Sequence, residues 1–323
     1  MNKIGILGTG AYGIALAKMF YENNNQITMW TKFLNERDML LETRCNDKLL
    51  PNVYLDSDIL ITSDLLEVTK CDILVICIPS MFVKETLKEI KSLVNKDIIL
   101  CMASKGIDLE TGKLLPELLM DYFDKEKITI ISGPSFAKDL VTKEPTGLTI
   151  AGYSNTSIEI VKRSLANKYL KIVPTRDVIG VSICGALKNI MAIASGMLFG
   201  FNANPSCNAM FLTEVIHDIK DLIKELKGCN RTILSYAGIG DILLTCTSSD
   251  SRNFTFGYNL VTKSKEEVLE YRNNTTIEGL DNLMAIKKLL DKHNIKMPII
   301  EIIDNIVNNN QNPKILLDYL MNK

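Results

Sequence analysis

Six residues constrain this chain more than any others: Gly8-Thr9-Gly10-Ala11-Tyr12-Gly13. They follow an apolar run, Ile4 to Leu7, and lead into a helical pattern, Ala11 to Tyr21. A chain that passes from strand to helix through this spacing turns tightly at the first glycine, leaves bare backbone at the second, and packs helix on strand at the third. The helix start then offers free N–H groups to an anion. In this setting the motif predicts a dinucleotide site at Gly8, Gly10 and Gly13; a plain strand–turn–helix corner is the alternative. The same stretch, Lys3 followed by Ile4 to Phe20, has the outline of a secretory signal, but the three glycines interrupt its apolar segment and fit the turn better.

The next strand ends in Thr28-Met29-Trp30-Thr31-Lys32, with no acidic residue before Glu36. An NAD-selective site of this kind places Asp or Glu at this point for the ribose hydroxyls, whereas a cation suits a 2′-phosphate. Lys32, with Arg37, either faces such a phosphate or is a solvated surface lysine. The reading leans to NADP and leaves NAD open.

The first half alternates apolar runs with helix-length segments. Ile4 to Leu7, Gln26 to Trp30, Asp72 to Ile78, Asp97 to Met102, Ile128 to Ser132 and Leu148 to Ala151 read as strands, with Tyr169 to Val173 as the last and Pro174 after it. Little polar alternation within them predicts a parallel sheet covered on both faces. Beyond Arg176 the strand signals stop, and Val181 to Met197, Ala209 to Leu226, Thr276 to His293 and Pro298 to Asn308 read as helices. The expected fold is α/β, a doubly wound sheet over 1–176 followed by an all-α domain over 177–323.

With 37 basic and 38 acidic residues the chain has no charge excess to attract nucleic acid or an anionic membrane. No stretch is read as a membrane span. Eight cysteines form no CxxC pair, and His217 and His293 are the only histidines, so no metal site is expected; the thiols read as reduced and the chain as cytoplasmic.

Further motifs follow in order: Cys77-Ile78-Pro79-Ser80, Ser104-Lys105-Gly106, Ser132-Gly133-Pro134-Ser135-Phe136-Ala137-Lys138, Gly185-Ala186-Leu187-Lys188-Asn189, Ala237-Gly238-Ile239-Gly240-Asp241, Thr245-Cys246-Thr247, Ser251-Arg252-Asn253 and Ile277-Glu278-Gly279. With the glycine loop they resemble the bacterial-type NAD(P)-dependent glycerol-3-phosphate dehydrogenases along nearly the whole chain. The resemblance implies a Rossmann domain, a helical substrate and dimerisation domain, a homodimer, and reversible reduction of dihydroxyacetone phosphate to sn-glycerol 3-phosphate for glycerophospholipid synthesis. It makes Lys188 the acid/base. It places Lys105 near both cofactor and substrate, with Gly133, Ser135, Asn189, Asp241, Thr245, Ser251, Arg252 and Asn253 in the substrate site. Ala11, Tyr12, Lys32, Ala137, Arg252, Thr276 and Glu278 fall at cofactor positions. The chain departs from the family between Gly200 and His217: Thr213-Glu214-Val215 stands where a Thr-Arg-Gly step is usual, after an apparent two-residue insertion near 205–212.

The chemistry can be argued from the residues as well. Hydride transfer to a ketone needs a proton donor for the carbonyl oxygen. His293, at a helix end, and His217, beside Asp218, are poor candidates. Lys188 has apolar neighbours Ile183, Ala186, Leu187, Ile190 and Met191; desolvation there, with Lys105 or Arg252 nearby, lowers its pKa, whereas snorkelling to the surface would leave it ordinary. Arg252 offers a planar fork to a phosphate, and Asn253 an amide donor. Asp241 cannot hold phosphate as a carboxylate and is expected to accept from Lys188 or a substrate hydroxyl. Ser135 is a candidate cap for a helix starting at Phe136, as well as a substrate contact. Two rivals are a related β-hydroxyacid-type dehydrogenase, which would carry different substrate loops, and a silent dinucleotide sensor.

Overall fold

The computed structural model describes residues 1–322, in two compact units: Met1–Lys105 with Leu115–Val178, and Gly106–Leu114 with Ile179–Lys323. The first is built on an eight-stranded sheet. Its strands are β1 (Lys3–Leu7), β2 (Gln26–Trp30), β3 (Leu60–Thr62), β4 (Ile73–Ile76), β5 (Ile99–Met102), β6 (Ile128–Ser132), β7 (Thr146–Gly152) and β8 (Leu170–Thr175), in the spatial order 3-2-1-4-5-6-7-8. The 3-2-1-4-5-6 part is the Rossmann order, in which ligands bind beyond the carboxyl ends of the strands. Every residue of β4, β5 and β6 is buried, as expected of strands covered on both faces.

Three features differ from the sequence expectation. The sheet is not wholly parallel, because β7 runs antiparallel to β6. The link between them carries only the four-residue helix Ala137–Leu140, not a full crossover helix. The short strand β3 was not anticipated; three residues, with Leu60 exposed, give almost no periodic signal. Finally, β8 runs through Pro174 to Thr175. It pairs only with β7, and an edge position tolerates a residue without N–H.

The second unit is helical. Its core surrounds the helix Val178–Gly200, against which pack residues of the helices Pro205–Glu225, Arg252–Thr262, Glu278–His293 and Pro298–Val307. Val178–Gly200 corrects one reading: its 23 residues are long and apolar enough to cross a membrane by length and composition. In the structure 94% of its most apolar window is buried inside the protein, so it is a core helix. The helix expected from Ala209 begins at Pro205, with the Asn204 side chain accepting from Cys207 N at 2.8 Å. An Asn N-cap followed by Pro is a helix start that the apolar periodicity hides. Glu214 is half-buried on this helix, and His217 is exposed.

Gly196 and Gly257 let two helices cross at backbone contact. A Cβ at Gly257 would lie 1.9 Å from the Ile193 carbonyl oxygen, and one at Gly196 2.0 Å from that of Phe254. Neither obstacle is a flexible side chain. Gly257→Ala is expected to destabilise the second unit by about 2–3 kcal/mol through overpacking, read as a lower urea midpoint; an unchanged midpoint would mean that the crossing has slack.

Candidate active site

In the first unit the expected residues gather at the carboxyl ends of the strands. Gly8 has φ +116°, and a Cβ there would meet the Cys77 carbonyl oxygen at 2.3 Å. Its N–H donates to Trp30 O at 2.9 Å, which pins the end of β2 beside the loop. Gly13 faces Gly8 O, which its Cβ would approach to 2.4 Å. Gly10 is different: a Cβ there meets nothing within 4 Å. The fold therefore does not need glycine at position 10, whereas a pyrophosphate lying on the backbone does. Gly10 is also the N-cap of the helix Ala11–Glu22 and gives it no side-chain cap, and the buried Thr9 hydroxyl has no hydrogen-bond partner among the described residues. These features fit a dinucleotide.

Tyr12 and Ser135 meet although far apart in sequence, with their hydroxyls 3.0 Å apart. Ser135 Oγ donates to Gly133 O at 3.0 Å, so its single proton is committed and the Tyr12 hydroxyl is the donor between the two. Gly133, at φ +144°, sits too close to Gly147 O for a side chain. Ser135 is not a helix cap: the helical turn starts at Ala137, preceded by Phe136, with no side-chain cap. Ala137 and Tyr12 pack against the first unit's core. Lys105 is half-buried just beyond β5, after Ser104, whose hydroxyl donates to Ile78 O at 2.5 Å. Lys32 is exposed and lies 3.9 Å from Glu85.

In the second unit Lys188 Nζ donates to Asp241 Oδ1 at 2.5 Å, with side chains 9% and 1% exposed. This is one of the two partnerships that the sequence predicts for Asp241. Asp241 is placed by a distorted turn, Tyr236–Gly240, non-helical at Gly238, from which the helix Asp241–Thr247 starts. A side chain at Gly238 would collide with Ile233 O at 2.2 Å, so the Gly-x-Gly-Asp spelling serves backbone contact. Thr245 spends its hydroxyl proton on Asp241 O at 2.7 Å.

Two bonds unknown from sequence tie the remaining residues together. Asn189 Nδ2 donates to Glu278 Oε2 at 2.8 Å, and Asn253 Oδ1 accepts from Gly279 N at 2.8 Å. Asn253 thereby caps the helix Glu278–His293 from another helix and fixes its amide, with Nδ2 free of protein partners among the described residues. Ser251 caps its own helix by accepting from Phe254 N at 3.3 Å. Arg252 is exposed, and its guanidinium makes no hydrogen bond or ion pair among the described residues. Thr276 is exposed just before this cluster. No local signal in the sequence gives such pairings across 26 and 89 positions.

These units define a class, a dinucleotide-dependent oxidoreductase with a Rossmann unit and a helical unit. The chain matches the model of the N-terminal part of NAD-dependent glycerol-3-phosphate dehydrogenase over residues 3–158 and of its C-terminal part over 177–318. It is 34% identical to glycerol-3-phosphate dehydrogenase [NAD(P)+] of Wigglesworthia glossinidia brevipalpis, over 99% of this chain and 98% of that one. It is 32% identical to the enzyme of the same name from Staphylococcus haemolyticus, over 93% and 91%. The crystal structure of glycerol-3-phosphate dehydrogenase from Coxiella burnetii superposes with a TM-score of 0.94 at 27% identity, covering 100% of this chain and 99% of that one. The chain belongs to the NAD-dependent glycerol-3-phosphate dehydrogenase family and is an oxidoreductase that uses NAD or NADP.

Gly10→Ala is expected to keep the wild-type melting temperature and weaken NADH binding by at least about tenfold, whereas Gly13→Ala should lose stability and binding together. Calorimetry and fluorescence titration separate the two; normal binding by Gly10→Ala would contradict the pyrophosphate assignment. A pH dependence also follows. Burial pushes the Cys101 and Cys246 thiols from 9.0 up to about 12. The unfolded chain ionises first as pH rises, so the stability from keeping these thiols protonated is complete below pH 9 and is lost towards pH 12. The urea midpoint should fall across that window; a flat profile would contradict the burial.

Proposed function

We propose that this enzyme reduces dihydroxyacetone phosphate to sn-glycerol 3-phosphate, reversibly, with Lys188 as acid/base and Arg252 and Asn253 as phosphate ligands. The observation that carries the proposal is the buried Lys188–Asp241 pair, whose lysine is the one charged residue of the helix Val178–Gly200. A buried ion pair is costly to maintain compared with apolar packing, so its presence in a core helix favours a chemical role.

Gly8, Gly10, Gly13 and the start of the Ala11–Glu22 helix would hold the reduced dinucleotide, which when bound would supply a hydride for the ketone carbon. Lys188 Nζ gives a proton to the carbonyl oxygen as that oxygen gains charge, and takes it back in the oxidation direction. Asp241 holds the ammonium in place through the bond at 2.5 Å. Arg252, whose guanidinium has no partner among the described residues, closes its fork on two phosphate oxygens, and Asn253 adds the Nδ2 donor that its bond to Gly279 leaves free. Lys105, Gly133, Ser135, Asn189, Thr245 and Ser251 complete the substrate site. Ala11, Tyr12, Lys32, Ala137, Arg252, Thr276 and Glu278 lie along the nucleotide. The product is the backbone of glycerophospholipids, and supplying it is the proposed role. The enzyme acts in the cytoplasm, in keeping with eight free thiols. It works as a homodimer joined through the helical unit, where Phe199 and Met210 are exposed.

Removing Lys188 alone would strand the Asp241 carboxylate in the core, so the test uses Lys188→Met with Asp241→Asn. The double variant is expected to fold and to bind NADH normally, with kcat on dihydroxyacetone phosphate reduced about 10²–10⁴-fold. Substantial turnover by a folded double variant would remove Lys188 from the chemistry. Arg252→Ala should raise KM for the phosphorylated ketone about 10–100-fold, as expected for loss of a charged hydrogen bond, with a much smaller effect on the dinucleotide.

A further inference from the structure

The structure brings to the end of β2 a carboxylate that the sequence of that strand lacks. The helix Leu34–Thr43 returns Glu36 to the strand end, where its Oε2 accepts a hydrogen bond from the Thr31 hydroxyl. Thr31 follows Trp30 directly, and Trp30 O accepts from Gly8 N of the glycine loop at 2.9 Å. The Glu36 side chain therefore occupies the position beyond the second strand, beside the dinucleotide turn, where a ribose hydroxyl or 2′-phosphate is distinguished in this fold.

The cations expected to receive a 2′-phosphate both have carboxylate neighbours. Arg37 donates through Nε and Nη2 to Asp38 Oδ1, at 2.8 and 2.6 Å. Lys32, 64% exposed, has Glu85 as its ionic neighbour at 3.9 Å. Three carboxylates thus stand against two cations at this end of the sheet. A 2′-phosphate adds further negative charge to that group, whereas a ribose 2′-hydroxyl can donate to a carboxylate. Glu36 has both marks of a ribose acceptor: it is oriented by a neighbouring hydroxyl and is not neutralised by an ion pair among the described residues.

The geometry points to Glu36 as the residue that sets dinucleotide choice, so that this enzyme takes NADH in preference to NADPH. Thr31 acts as its positioning residue, and Glu85 adds a carboxylate beside Lys32. The inference rests on the dinucleotide reading of the glycine loop and sharpens it against the NADP preference that Lys32 suggests.

The test is fluorescence titration of the purified full chain with NADH and with NADPH, for wild type, Glu36→Gln and Glu85→Gln, with melting temperatures as a folding control. Wild type is expected to bind NADH about tenfold or more tightly than NADPH. Glu36→Gln should bring that ratio close to one, chiefly by tightening NADPH, and Glu85→Gln should tighten NADPH alone. The ratio of kcat/KM values on dihydroxyacetone phosphate should move in parallel. Equal or tighter NADPH binding by wild type, or a ratio unmoved in Glu36→Gln, overturns the role of Glu36 while leaving the oxidoreductase reading in place. Failure of both dinucleotides to bind overturns the Glu36 role and the dinucleotide reading together.

Discussion

A lysine ammonium and an aspartate carboxylate in contact inside a helical core set the terms for the second unit. Neither charge is tolerable there alone, since each would lose its hydration without a partner. The core around them is arranged accordingly. A distorted turn aims Asp241 inward, the helix starting at Asp241 accommodates a negative charge in its first turn, and Cys246 lies close by with a thiol that burial keeps protonated. The two helices that carry the pair contribute apolar residues to the same core, Leu187, Met191 and Ile242 among them. The proposed chemistry uses this arrangement directly, because a proton held between two buried groups has few places to go except to a substrate oxygen.

The first unit rests on a different constraint, the approach of one backbone to another. Gly8 and Gly13 are required by the protein's own atoms, and Gly10 is not. This contrast distinguishes a glycine that permits folding from one that leaves room for a ligand. The identical letters of the motif hide that difference; the space around each Cβ position reveals it.

Most of the fold was legible because it depends on local patterns. The buried strands β4, β5 and β6 read as unbroken apolar runs, and the long helices showed their stripes. What escaped depends on contacts distant in sequence or on elements too short for a pattern. The strand β3 has three residues, and the reversal of β7 depends on how the chain returns after Ser132. At the site, Lys188 and Asp241 were recognisable from their motifs, and their bond was one of the two partnerships expected for Asp241. The bonds from Asn189 to Glu278 and from Asn253 to Gly279 had no local signature. Glu36 stands several residues beyond the strand in sequence, and a helical turn brings it back to the strand end. Ser135 was read as a cap from its place before a helix, whereas the helix starts a residue later and the hydroxyl serves the loop.

The apolar character of Val178–Gly200 bears on how this chain is handled as it is made. Before the second unit closes, the segment offers translocation machinery a stretch that passes for a bilayer anchor. Its one charge, Lys188, stands near the middle, where a lysine opposes insertion by about 2.5–3.5 kcal/mol. A variant lacking this ammonium group would present the segment with no charge along its 23 residues.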